Sequence, residues 1–187
     1  LFATVGVADI GPGRLAGWGR EAMEGGCDVV RVCGEAADEA ELTEAAGVCR
    51  DMDAFLIVDG PFESVERVGA HGVHLSVDHP ALGEARVAVG MSGLIGATIA
   101  SLDEAKLADA VGLDYLLCNV RESEGAEDRI RAEVSLPLYV GSFDAPDEAR
   151  AARDRGFFRL WVHSAQIGNA AVTESVAEYA RVLGRCI

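Results

Sequence analysis

The length, composition and charge of the chain exclude several kinds of protein. It has 187 residues, and 50% of them are hydrophobic. That is enough for one sizeable core and too little for two well-formed domains, so we expect residues 1–187 to form a single domain. The net charge is −15, and the 16 basic residues form no cluster. Nucleic acid is therefore not an expected partner, because binding its phosphates needs clustered Lys and Arg.

The cysteines and the apolar runs indicate the cellular compartment of the protein and whether it contacts a membrane. The five cysteines are widely spaced and none belong to a C-x-x-C pair, so the pattern indicates neither a disulfide framework nor a zinc finger, and it favours a reducing cytoplasm. No run reaches the roughly 18 apolar residues that span a bilayer, so we expect no membrane partner. Lys106 is the single lysine and lies in a helical pattern, which leaves no obvious donor for Schiff-base chemistry.

In chain order, short β-type runs alternate with Ala-, Glu- and Arg-rich segments of helical period. Gly25 and Gly26 end the first helical segment, and Ser101 with Glu104 predicts a capping box at the start of the fifth. The predicted strands cover residues 1–7, 28–33, 54–58, 72–75, 94–99, 114–118, 138–140 and 157–162, and the predicted helices cover residues 14–25, 38–52, 63–68, 80–86, 101–111, 126–134, 146–156 and 172–183.

Eight strand-then-helix units predict the fold. No two strands are close enough in sequence to form a hairpin, so we expect parallel pairing through right-handed crossovers. The expected α/β architecture is a closed (β/α)₈ TIM barrel, although 187 residues falls below the usual length of roughly 200 to 250. A doubly wound open sheet is the alternative, but no G-x-G-x-x-G follows the first strand to favour it.

Functional residues of a barrel lie at the carboxyl ends of its strands, and several polar residues are predicted there. Arg31 shares strand parity with Cys33, so on an interior face it is a buried cation that needs a carboxylate or a ligand anion. Asp59, on the adjacent strand, is the nearest carboxylate. His74 lies within an apolar strand, as either a structural histidine or an acid/base group. The strand-end candidates are Cys33, Glu35, Asp59, His74, Asp78, His79, Thr98, Cys118, Asn119, Arg121, Gly141, Ser142, His163 and Ser164.

The turns after the seventh and eighth strands are built from small residues. Gly141 and Ser142 follow the seventh strand, and His163 and Ser164 follow the eighth. Barrels often bind phosphate at these two loops through backbone N–H groups and a short helix N-terminus. Two ordinary tight turns are an equally good interpretation of these residues.

Five blocks of sequence carry a family resemblance. They are Phe55-Leu56-Ile57-Val58-Asp59, Gly72-Val73-His74-Leu75-Ser76-Val77-Asp78-His79-Pro80, Ile95-Gly96-Ala97-Thr98, Ala110-Val111-Gly112-Leu113-Asp114-Tyr115-Leu116 and Pro137-Leu138-Tyr139-Val140-Gly141-Ser142. In order and spacing they resemble thiamine phosphate synthase and its relative, the thiazole tautomerase TenI, over residues 28–165. The resemblance implies a small barrel that holds a thiazole phosphate at the loops after strands seven and eight. In the synthase, a pyrimidine diphosphate and a magnesium ion lie across the mouth.

The chain departs from this family pattern at the reactive positions. Where the synthase has Gln, Arg and Lys after strand two, this chain has Arg31, Cys33 and Glu35, and the glutamate would repel a diphosphate. The metal ligands that the resemblance implies are Asp59, Asp78 and His79. A histidine nitrogen is a poor ligand for magnesium, which prefers hard oxygen atoms.

The loop after strand six departs as well. Residues 118–125 lack the Pro, Thr and Lys of the synthase loop, and the tautomerase histidine aligns with Asn119, which cannot exchange protons usefully. The candidate catalytic residues are therefore Asp59, His74, Cys33 and Asn119.

These observations predict a divergent member of the family that binds a small phosphorylated, thiazole phosphate-like heterocycle and carries out metal-independent acid/base chemistry. No cofactor is required on this interpretation. If the chain is an enzyme, it is a TenI-like isomerase or a synthase-like transferase. One alternative is an active magnesium-dependent synthase, the other is a catalytically silent binding or interaction module, and a homodimer stays open. The expected phosphate-binding residues are Gly141, Ser142, His163, Ser164, Arg31 and Arg121.

Overall fold

The predicted barrel is confirmed. The computed structural model describes residues 1–34, 37–119, 125–141 and 143–185. Its strands form a closed parallel barrel in sequence order, and β1 pairs with β8 to close the ring. The strands are β1 (Phe2–Gly6), β2 (Val29–Cys33), β3 (Phe55–Asp59), β4 (Gly72–His74), β5 (Leu94–Ile99), β6 (Tyr115–Cys118), β7 (Leu138–Gly141) and β8 (Leu160–His163).

Helices follow the strands and form the outer layer. Asp38 and Ser101 accept hydrogen bonds from the backbone N–H groups of Glu41 and Glu104, so each caps the helix it precedes. Glu104 accepts from the N–H of Ala100, one residue earlier than a capping box requires. Among the described residues the helices are α1 (Val7–Ile10), α2 (Leu15–Glu24), α3 (Glu39–Asp51), α4 (Ser64–Val68), α5 (Leu82–Val89), α6 (Leu102–Ala110), α7 (Ala126–Glu133), α8 (Pro146–Asp154), α9 (Ser164–Ile167) and α10 (Val172–Val182).

Two helices were not predicted. Both α1 and α9 are single turns that directly follow β1 and β8, and a four-residue turn is too short to show a helical period. The eighth strand also begins at Leu160 rather than at residue 157. Phe157 lies outside the strand, beneath the guanidinium groups of Arg131 and Arg155. The helix predicted over residues 80–86 begins and ends later, and its C-cap is Gly90.

The barrel interior is divided into an apolar part and a polar part. Strand alternation places one set of side chains inside the ring and the other set against the helices. Thr4, Arg31 and His163 lie side by side in the register of β1, β2 and β8, and Asp59 pairs with His74 between β3 and β4. Asp59, His74 and His163 are the last residues of their strands, whereas Thr4 and Arg31 lie in the middle of theirs. The apolar interior consists of Phe2, Val29, Ile57, Tyr115, Leu117 and Trp161.

The larger hydrophobic core lies between the strands and the helices. It includes the fully buried Trp18, Leu56 and Leu116, and burying a side chain of this kind stabilises the fold by about 1.5–3 kcal/mol. In the part of the chain that the structure describes, no helix is both long and apolar enough to cross a membrane. The fold therefore leaves the carboxyl mouth of the barrel as the place where polar side chains gather.

Candidate functional site

Arg31 and Asp59 form a two-point ion pair inside the mouth. The Arg31 Nε–H donates to Asp59 Oδ1 at 2.7 Å, and an N–H of its Nη2 donates to Oδ2 at 2.6 Å. The two side chains are 13% and 25% exposed. This confirms the pairing predicted from strand parity. The bidentate geometry fixes the guanidinium plane. Each of the two hydrogen bonds joins charged groups and is therefore stronger than a hydrogen bond between neutral groups.

His74 lies between two hydroxyl groups. Its Nδ1 is 3.0 Å from the Tyr115 hydroxyl and its Nε2 is 3.0 Å from the Thr98 hydroxyl. Burial, with a smaller contribution from the Arg31 charge, holds the pKa of His74 well below 6.5, so the ring is neutral. Burial raises the pKa of Tyr115, so that hydroxyl keeps its proton. The three side chains form a neutral hydrogen-bonded chain from the barrel interior to the mouth.

A cavity of about 660 Å³ opens beside these groups, and we call it the β3–β5 cavity. Its volume lies within the range of roughly 300–1,000 Å³ that is usual for small-molecule sites. Arg31, Asp59, His74 and Thr98 form its polar base. The loops after β3 and β4 complete its lining with Gly60, Pro61, Phe62, Glu63, Leu75, Ser76 and His79.

A second polar group lies across the mouth, where β8 meets β1. The Ser164 hydroxyl, 1% exposed, donates to Asp9 Oδ2 at 2.5 Å and accepts from the Gly6 N–H at 3.0 Å. His163 Nδ1 lies 3.7 Å from the same carboxylate oxygen and accepts from the Ala165 N–H at 3.2 Å. These hydrogen bonds connect α1 and β1 to the N-terminus of α9.

Cys33 completes this second group, which we call the β8–β1 rim and define as Asp9, Cys33, His163 and Ser164. The Cys33 sulfur lies 3.7 Å from His163 Nε2. Burial raises the pKa of the Cys33 thiol, and Arg31 only partly offsets this effect. The thiol is therefore a weaker nucleophile at neutral pH than a free cysteine.

This geometry gives little support to the predicted phosphate site at the loops after strands seven and eight. The Ser164 hydroxyl and the Ala165 N–H bind Asp9 and His163, and the Asp9 carboxylate would repel an anion there. Packing explains the glycine at position 141, since a Cβ atom there would overlap the Trp161 backbone. Two of the predicted phosphate ligands, Arg121 and Ser142, lie outside the described residues.

The implied magnesium ligands are not assembled. Both oxygens of Asp59 accept from Arg31, Asp78 is exposed, and His79 Nδ1 accepts from the Ala81 N–H. No group of three His, Cys, Asp or Glu side chains suited to a metal occurs in residues 1–34, 37–119, 125–141 and 143–185. Because magnesium prefers several oxygen ligands, these residues do not fit the ion.

The remaining predicted residues are separated from the cavity. Asn119 is exposed directly after β6, where its N–H donates to the Ile99 carbonyl, and neither Asn119 nor Cys33 lines the β3–β5 cavity. Two residues that contact the candidate groups were not predicted. Tyr115 resembles any core aromatic in the sequence, and Asp9 belongs to the single-turn helix α1, so no spacing marked either of them.

The fold and the site together define a class: a (β/α)₈ barrel with a small-molecule cavity at the carboxyl ends of its strands. Within that class, residues 4–124 match the family model described as "Thiamine monophosphate synthase". The chain belongs to this family.

Individual relatives agree with the family match. The thiamine-phosphate synthase of Methanoculleus marisnigri is 33% identical over 88% of this chain and 86% of that protein. The enzyme of the same name from Thiobacillus denitrificans is 33% identical over 90% and 88%. The alignment with the synthase of Phocaeicola vulgatus is shorter, with 34% identity over 53% of this chain and 50% of that protein.

A solved structure shows the same fold. Thiamine phosphate pyrophosphorylase from Pyrococcus furiosus superposes with a TM-score of 0.81, covering 98% of this chain and 95% of that one at 24% identity. The protein of the structure described as "Native KDPGal structure" superposes with a TM-score of 0.80 at 14% identity, over 97% and 92%. Both likenesses concern the barrel.

Proposed function

We propose that the chain is a divergent, thiamine-phosphate synthase-like protein that binds a small phosphorylated heterocycle in the β3–β5 cavity. Family membership and the synthase relatives support a place in thiamine biosynthesis. The observation that carries the proposal is the Arg31–Asp59 pair at the base of the cavity, because it holds a cation in one orientation beside space for a ligand.

Arg31 can bind an anion without leaving Asp59. A guanidinium has five N–H donors, and the pair with Asp59 uses two of them. Within the described residues, no group accepts from the other three, which leaves them for a ligand oxygen. The Thr98 hydroxyl lines the same cavity. A phosphate ester bound here would accept a charge-assisted hydrogen bond from Arg31, which is the stronger kind, and a neutral one from Thr98.

Acid/base chemistry in this cavity would not need a metal ion. Asp59 borders the cavity, and each of its carboxylate oxygens, besides accepting from Arg31, keeps a lone pair that can take a proton from a bound heterocycle. His74 is neutral and can hydrogen-bond without carrying charge. Proton transfer within a phosphorylated heterocycle needs an anchor and one acid or base, and Arg31 and Asp59 provide that minimum.

Calorimetry with the thiazole phosphate tests the anchor. We expect Arg31→Ala to weaken binding by about tenfold or more, since a charge-assisted hydrogen bond contributes about 1.5–3 kcal/mol. Arg86→Ala is the matched control, because Arg86 also pairs with an aspartate, Asp114, at 2.5 Å, but does not line the cavity. Equal affinity in wild type and Arg31→Ala, or no binding by wild type, would overturn the proposal.

An active synthase is the second candidate, and the named relatives favour it. The test incubates the thiazole phosphate with the pyrimidine diphosphate, with and without magnesium, and measures the coupled product. Product that requires magnesium would establish the synthase and contradict the metal-independent proposal. Binding of the thiazole phosphate without turnover of any heterocycle would instead favour a catalytically silent binding module.

A further inference from the structure

We propose that Tyr115 is a positioning residue that fixes His74 as the tautomer protonated at Nε2, so that Thr98 turns its hydroxyl hydrogen into the β3–β5 cavity. The inference rests on the proposed function, because it assigns the hydrogen-bonding character of the same cavity. It also replaces the acid/base role that the sequence suggested for His74 with that of a neutral donor that acts through Thr98.

The backbone creates a path for Tyr115 to reach His74. In the sheet register His74 lies beside Gly96, and Gly96 lies beside Tyr115. A Cβ atom at position 96 would overlap the Tyr115 ring, so the ring crosses β5 at the one residue that leaves room for it. Phe2 and Tyr139 hold the ring from other sides, with centroids at 5.3 and 6.3 Å.

Counting hydrogens assigns the direction of the bond. Tyr115 is 5% exposed, and a buried hydroxyl needs an acceptor for its hydrogen. The partner of this hydroxyl among the described residues is His74 Nδ1, at 3.0 Å. If Nδ1 carried the ring hydrogen, it would donate to the tyrosine oxygen and leave the tyrosine hydrogen without an acceptor. The satisfied arrangement has Tyr115 donating to a bare Nδ1.

The direction of the next bond follows from the first. A neutral imidazole with a bare Nδ1 carries its hydrogen on Nε2, and Nε2 lies 3.0 Å from the Thr98 oxygen. Thr98 therefore accepts from His74, and its own hydrogen is available to a ligand. Thr98 is exposed at the mouth. Tyr115 therefore donates to His74, His74 donates to Thr98, and Thr98 donates into the cavity. Such a site favours an oxygen acceptor on the ligand over a donor.

Long-range ¹⁵N–¹H correlation spectra of histidine-labelled protein test the tautomer without any ligand. We expect wild-type His74 to show an unprotonated Nδ1 and a protonated Nε2. Tyr115→Phe should raise the population of the Nδ1-protonated form, because Thr98 can then donate to Nε2. Tyr139→Phe is the matched control: it removes a hydroxyl from the same aromatic cluster and should leave the His74 signals unchanged.

The same spectra can overturn the proposal. A wild-type His74 protonated at Nδ1, or a Tyr115→Phe spectrum identical to wild type, would contradict it. If Tyr115→Phe does not fold, the spectrum of Thr98→Val tests the proposal instead. This variant removes the hydroxyl beside Nε2, and Tyr115 by itself should still keep the ring hydrogen on Nε2. A shift of Thr98→Val to the Nδ1-protonated form would show that Thr98, not Tyr115, sets the tautomer.

Affinity for the thiazole phosphate links this inference to the proposed function. Tyr115→Phe should weaken binding about three- to tenfold, the value of one neutral hydrogen bond, whereas Tyr139→Phe should change it less than twofold. Equal losses in both variants would indicate general loosening of the aromatic cluster and overturn the positioning role. If wild type does not bind the compound, the proposed function fails, and the spectra still decide the tautomer.

Discussion

The β3–β5 cavity and the β8–β1 rim contain similar residue types but direct their hydrogen bonds differently. In the cavity, Arg31 retains donors beyond its pair with Asp59, and the chain from His74 ends at an exposed hydroxyl. In the rim, the hydroxyl of Ser164 and the Nδ1 of His163 are bonded within the protein. Polar residues at strand ends therefore indicate a site only where their hydrogen-bonding capacity remains open.

The two regions also differ in charge. Among the described residues, the cavity has one cation, Arg31, together with the carboxylates of Asp59 and Glu63, whereas the rim has the Asp9 carboxylate and neither an Arg nor a Lys. A phosphorylated ligand should therefore bind on the Arg31 side of the mouth, with its other end toward the loops after β3 and β4.

Asp59→Ala should destabilise the protein most. It leaves the Arg31 charge, which is 13% exposed, without its partner, and we expect the free energy of unfolding to fall by about 3 kcal/mol. The double variant Arg31→Met with Asp59→Leu should lose less, because it removes both charges. Urea denaturation measures both. A double variant that is no more stable than Asp59→Ala would show that packing, not the pair, explains the loss.

Ser164→Ala should affect stability but not binding. It leaves the Gly6 N–H and the Asp9 carboxylate without the serine hydroxyl, and we expect a loss of about 1–2 kcal/mol in urea denaturation. Its affinity for the thiazole phosphate should equal that of wild type. A loss of affinity as large as that of Arg31→Ala would contradict the contrast between the two regions and return the anion to the rim.

His74 should make stability depend on pH. Its pKa is lowered in the folded protein, so between that value and about 6.5 the unfolded chain binds more protons than the folded one. Stability is therefore fully present above pH 6.5 and falls as the pH decreases, by about 1 kcal/mol between pH 6.5 and 5.5. His74→Gln should reduce this dependence in urea titrations but not abolish it, because burial also lowers the pKa of His71. An unchanged slope would show that other groups cause it.

Alkylation of Cys33 gives the smallest expected effect. Burial and, to a smaller extent, the carboxylates of Asp59 and Asp9 raise the pKa of this thiol, so Asp9→Asn should lower that pKa and modestly speed the reaction of Cys33 with iodoacetamide at pH 8. Cys33→Ser identifies the modified residue by mass spectrometry. An unchanged or slower rate in Asp9→Asn would indicate that the carboxylate does not act on Cys33 within the rim.

The sequence predicted those contacts that depend on strand order and parity. The barrel follows from the alternation of strands and helices, and the Arg31–Asp59 pair follows because both residues lie on interior faces of adjacent strands. The Tyr115–His74 contact spans two strands and depends on the missing side chain of Gly96. The residue pattern along one strand cannot show that a glycine on the neighbouring strand leaves room for a side chain to cross it.

The rim could not be predicted because it depends on closure of the ring. Asp9 comes from a single-turn helix and meets Ser164 only after β8 has paired with β1. The metal set of Asp59, Asp78 and His79 was a family expectation, and Arg31 takes both oxygens of its first member. Residue type alone could not show that competition.

The rim also has a consequence for how the barrel folds. Its bond between Gly6 and Ser164 joins residues 158 positions apart, and the bond between Asp9 and Ser164 joins residues 155 apart. Contacts over such separations form slowly because the intervening chain must first be ordered. The rim cannot form until β8 has joined β1, so its bonds are a marker for completion of the ring.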